Sequence, residues 1–108
     1  MTDLELLEKA AKAAGIDAEW HDGCGDALAV KPGAGLGFGR YWNPLADDGD
    51  ALRLAVKLGL TINPYREGVF VSRYEGEQII QEEFEVQGKP GTTSTRRAIV
   101  RAAAALAE

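Results

Sequence analysis

Three strand-like runs lie back to back between Gly59 and Gln87, joined by turns too short to hold a helix. Leu60 to Tyr65 alternates apolar and polar residues, Gly68 to Tyr74 is β-branched and aromatic, and Glu77 to Val86 is the longest. Glu75-Gly76 signals a tight hairpin and Glu67-Gly68 a weaker one. Strands connected this closely pair antiparallel, because a parallel pair needs a crossover of a dozen or more residues. Helical patterns lie on both sides of this unit. The chain is therefore expected to be α+β: an antiparallel sheet of three to five strands with helices packed on it. Its core order is helix, three strands, helix, preceded by an N-terminal helix.

The first helix opens with Thr2 as cap and Glu5 three residues later, the capping-box spacing. Leu4, Leu7, Ala11 and Ala14 recur at helical intervals, and Gly15-Ile16 predicts a left-handed cap with an apolar residue folding back. A second helix, at about 48 to 59, starts in the acidic run Asp47-Asp48-Gly49-Asp50. Asp47 or Asp48 suits the N-cap, and the other aspartates suit the positive end of the helix dipole. Leu52, Ala55, Val56 and Leu58, with Leu45 ahead of the cap, form its expected apolar face. Asp50, Arg53 and Lys57 take the other face, with Asp50 placed to pair with Arg53. The last helix, 95 to 107, is capped by Thr93, Ser94 or Thr95 and carries a stripe of Ile99, Ala102, Ala103 and Leu106. Small residues there allow close approach to a sheet. The second and last helices are expected on one sheet face, with the first on the other face or at an edge.

On the longest strand, Ile80, Phe84 and Val86 share one side; Ile79, Gln81, Glu83 and Glu85 share the other, which is expected to be solvated. Between Asp17 and Pro44 the pattern is poorer. Ala18 to Trp20 and Ala27 to Lys31 are two short strand candidates, and Gln87 to Gly91 is a loop.

Residues 1–108 are expected to form one domain. A net charge of −5 does not favour nucleic acid, and the longest apolar run, Ala102 to Ala107, is far short of a membrane span. A single cysteine, Cys24, rules out an internal disulfide and fits a reducing compartment. With no secretion signal at the start, the expected location is the cytoplasm.

Several residues invite a chemical reading. The acidic run offers oxygen ligands, but a calcium loop would need a glutamate where Leu58 stands, so capping is the better account. His21 and Cys24, with Asp22 and Asp26, have ligand-like chemistry, yet one of each falls short of a zinc set or a nucleophilic triad. Gly33, Gly35, Gly37 and Gly39 match neither the dinucleotide nor the P-loop spacing. No nucleophile, base and oxyanion donor fall together, so no enzyme and no cofactor is expected.

Two surface features remain. Arg96 and Arg97 fall in the first turn of the last helix, against its dipole, as if an anion or acidic partner were held there. Pairing with the chain's own carboxylates, from Glu82, Glu83 or Glu85, is the simpler account. Tyr41 and Trp42, near Leu36 and Phe38, are material for an interface or for the core.

"LLEKAAKAAGI" at 6 to 16, "WNPLADDGDALRLAVKLGL" at 42 to 60 and "TRRAIVRAAAAL" at 95 to 106 together resemble the phage ABA sandwich family. These are small proteins of tailed phages and prophages. The resemblance covers both ends and the centre. It implies a sheet sandwiched by helices and carries over no catalytic residue. Residues 47 to 108 also resemble, in element order, double-stranded-RNA-binding domains. There the basic pair Arg96-Arg97 before an alanine-rich helix would meet phosphates. Ile99 stands where a third basic residue belongs, and five glutamates lie between 75 and 85.

The expectation is a phage or prophage accessory protein in the bacterial cytoplasm that binds a host or defence protein without catalysis. Tyr41, Trp42, Glu83 and Glu85 are the candidate protein-binding residues. Arg96, Arg97 and Arg101 are the candidates for the nucleic-acid alternative. A homodimer seamed by the glycine-aromatic segment is a third arrangement.

Overall fold

A computed structural model describes residues 2–20, 27–30, 41–86 and 92–107. Helix α1 (Asp3–Ala14) starts as its sequence predicts: the Thr2 hydroxyl oxygen accepts from the Glu5 amide at 3.2 Å. It ends at Gly15, whose φ of 69° lets the Ile16 amide donate back to the Ala11 carbonyl at 2.9 Å. The short strands β1 (Ala18–Glu19), β2 (Leu28–Val30) and β3 (Tyr41–Trp42) follow. They form an antiparallel sheet in that order, with Leu28 directly opposite Trp42.

Helix α2 (Asp48–Leu58) leads through Gly59 into β4 (Leu60–Pro64), β5 (Gly68–Glu75) and β6 (Gln78–Val86). These pair antiparallel in the order β4-β5-β6, as the two short turns require. Helix α3 (Thr93–Leu106) completes the described chain. The fold is α+β, with two three-stranded antiparallel sheets among the described residues.

The layering differs from the expected sandwich. α3 packs across β4, β5 and β6, and both α1 and α2 pack on α3. Ala98, Ile99, Val100, Ala102, Ala103 and Ala104 are all buried, so α3 is the centre of the core and not a one-sided stripe. Its alanines are what allow this: helices approach closely only where the side chains between them are small. α1 therefore sits behind α3 rather than on the sheet's second face.

Helix α2 is also turned from its expected orientation. Ala51, Leu54 and Ala55 are buried, with Leu45 and Leu58 packed against them, whereas Leu52 and Val56 point outward. The alternation in β6 is likewise reversed. Val69 and Val71 of the central strand are buried beneath α3, and their cross-strand partners are Glu85 and Glu83. Cross-strand partners share a face, so the glutamates lie on the helix side and Phe84 on the open side. Ile80, the extra residue where the register shifts between Arg73 and Tyr74, is exposed, as is Ile79 opposite Tyr74.

Candidate interaction surfaces

The residues 42–50 form a structural knot. Asn43 sits at its centre: its side-chain oxygen accepts from the Leu45 amide at 3.1 Å, and its carbonyl accepts from Ala46 and Asp47. Its own amide donates to Asp50 Oδ2 at 3.0 Å. Asp47 caps α2, its carboxylate accepting from the Asp50 amide at 2.7 Å. Asp50 is 3% exposed, and its other oxygen takes Arg53 at 2.7 Å. Trp42, ahead of the knot, is 1% exposed and is the largest fully buried side chain. The block is thus a helix start locked to the core, with its acidic groups turned to amides and a guanidinium.

Asp48 reaches further. Its Oδ1 accepts from the Thr92 hydroxyl and from Arg96 Nη1, the latter at 2.6 Å. Arg96 also donates from Nε to the Leu45 carbonyl at 2.9 Å. The Thr92 hydrogen bond, followed by that of Arg96, holds the Asp48 carboxyl below the usual aspartate range. Thr92 stands at the N-cap of α3 but its side chain caps no amide there; it ties α3 to α2 instead.

This accounts for the arginines that oppose the α3 dipole. Arg97 meets Asp3 of α1 at 3.3 Å, and Arg101 meets Glu85 at 2.6 Å and Glu83 at 3.8 Å. Acids from the first turns of α1 and α2 thus offset the cations in the first turn of α3. The expected partners Glu82, Glu83 and Glu85 serve only Arg101, through the latter two; Glu82 accepts from the Ser72 hydroxyl. Arg96, Arg97 and Arg101 each hold a carboxylate of the chain and do not form a bare basic stripe.

The four expected protein-binding residues are not brought together. Tyr41 is 55% exposed, but Trp42 is inside, and Glu83 and Glu85 are half-buried under Arg101. His21, Cys24, Asp22, Asp26, the glycines 33, 35, 37 and 39, Leu36, Phe38 and the loop 87–91 lie outside the described residues. Among the described residues, no group of three or more His, Cys, Asp or Glu is placed to hold a metal ion. None of the described helices is long and apolar enough to cross a membrane.

The feature that periodicity did not single out is the face of β4-β5-β6 turned away from α3. Tyr65, Tyr74, Ile79, Ile80 and Phe84 gather on this side, each between 40% and 57% exposed. Phe70 faces Phe84 across the strands with ring centroids 4.6 Å apart, and Tyr65 meets Phe70 edge-on at 6.0 Å. Gly68 makes room for this ladder, since a Cβ there would collide with the Phe84 ring and the Glu85 carbonyl. The sequence signal was the even-numbered aromatics Phe70 and Tyr74 opposing the β-branched Val69 and Val71. It told the two faces apart without saying which one α3 would cover.

Compared with protein-family models, curated proteins and solved structures, the chain matches none.

Proposed function

We propose that this protein is a phage or prophage accessory protein that docks on a host or defence protein, with no chemistry of its own. The observation that carries the docking reading is the open face of β4-β5-β6. Five large apolar side chains stand on it while the largely buried helix α3 fills the other side. The largest contiguous apolar patch on a soluble chain is often functional, and aromatic residues are the usual anchors of protein interfaces. The phage assignment is supported by the segments at 6 to 16, 42 to 60 and 95 to 106 that resemble the phage ABA sandwich family. The site of action in this reading is the bacterial cytoplasm. Nucleic-acid binding through Arg96, Arg97 and Arg101 is the weaker reading, because each guanidinium already holds a carboxylate.

An affinity capture from bacterial lysate, with nuclease and at two salt concentrations, tests this. The expected result is a discrete protein retained by the wild type at both salt concentrations and lost with Tyr74→Asp. Tyr74 is exposed, so this variant leaves the core alone. Recovery of nucleic acid alone, lost at high salt, would favour the arginines instead.

A further inference from the structure

We propose that, when no target is bound, two copies of this chain close on each other through the open face of β4-β5-β6. The inference rests on reading that face as a docking surface and names its resting occupant. Charge limits where a second copy can sit. The chain carries 17 acidic against 12 basic residues, so two copies repel over most of their surfaces. The open face is nearly free of charge. Its strand positions are Thr61, Asn63, Gly68, Phe70, Ser72, Tyr74, Ile79, Ile80, Glu82 and Phe84, of which Glu82 alone is charged. Glu82 lies on β6, at the rim of the sheet, where its carboxylate stays exposed and is held by the Ser72 hydroxyl.

One other route by which a copy can join the sheet, through its β6 edge, is disfavoured. β6 is an edge strand, and antiparallel pairing of two β6 edges centred on Phe84 would set Glu83 of each copy against Glu85 of the other. Like charges opposed across strands are destabilising, and charged edges guard against such pairing. Charge thereby disfavours self-association at the β6 edge and leaves the face beside it open to a copy. The area fits a weak dimer. With about half of each ~200 Å² side chain outside, the five residues present roughly 500 Å². Two facing copies would then bury about 1,000 Å², the threshold for a biological interface and the size of a weak, reversible one. Sheets packed this way stand about 10 Å apart, with their side chains interleaved.

Sedimentation equilibrium from micromolar to millimolar protein tests the proposal. The wild type is expected to reach a dimer. Phe84→Asp should weaken it at least ~10-fold, as loss of a central aromatic anchor does. Thr61→Arg should weaken it as well. Thr61 is exposed on the same face, so this second variant removes no packing and keeps the test valid if Phe84→Asp does not fold. Leu52→Asp, on the exposed side of α2, should leave the dimer unchanged. A wild type that stays monomeric, a dimer indifferent to Thr61→Arg, or one lost in Leu52→Asp would overturn the proposal. A monomer whose capture of a host protein is lost in Thr61→Arg defeats the dimer alone. A monomer whose capture is unchanged in that variant defeats the docking reading too.

Discussion

Asp50 shows how one buried carboxylate organises its neighbourhood. It sits at the third position of α2, yet it points inward, to the Asn43 amide, while Arg53 closes over it from the helix. The pairing of Asp50 with Arg53 was legible from their spacing of three; the reach back to Asn43 was not, because it depends on the turn through Pro44 and Leu45. Asp50→Ala would leave the Asn43 amide without that acceptor and Arg53 without its nearest carboxylate partner. An amide stranded in this way costs about 1–3 kcal/mol. The expected result is an unfolding free energy lowered by that amount, read as a lower urea midpoint with the slope unchanged, whereas Arg53→Ala, on a half-exposed partner, should cost less.

Among the elements, the junction of α2 and α3 depends on a charge that titrates. Asp48 has its carboxyl pulled below the usual aspartate range by the Thr92 hydroxyl and then by Arg96. A carboxylate with a depressed folded-state value stabilises fully above its unfolded value of ~3.9 and loses that contribution as pH falls through the folded value. The wild type should therefore melt above Asp48→Asn at neutral pH, and the two curves should converge in acid. A gap that persists below the folded value would exclude the ion pair as its cause. The same junction explains why α3 tolerates two arginines at its start. Its own sequence holds no acid in the first turn; the acids come from α1 and α2. That compensation lies 48 and 94 residues away along the chain and leaves no local signal.

For the molecule as a whole, the core is one connected body running from α1 through α3 to the larger sheet, with Trp42 and Leu28 joining it from the smaller one. Trp42 contributes its largest fully buried side chain from a strand of two residues. Trp42→Ala should cost about 3–5 kcal/mol. That is a large share of the roughly 5–15 kcal/mol that holds a domain of this kind together. Thermal unfolding followed by circular dichroism should show a much lower midpoint. A variant that melts near the wild type would mean that Trp42 is not the keystone its burial indicates.

What the sequence by itself determined is local. Thr2, Gly15, Asp47 and Gly59 mark helix ends through backbone groups that must be satisfied within a turn or two. The two short turns make β4, β5 and β6 antiparallel. Only the tertiary structure decided which faces are covered. Periodicity places Glu83 and Glu85 outside and Leu52 and Val56 inside, with α1 on the sheet's second face or at an edge. In the structure the glutamates are half-buried, the two apolar residues are exposed and α1 packs on α3. Periodicity divides an element into two faces, but it carries no information on which face a distant element will reach. That choice was made by α3, whose alanines admit helices on one side and the valines of β5 on the other. The aromatic face of the sheet was left open.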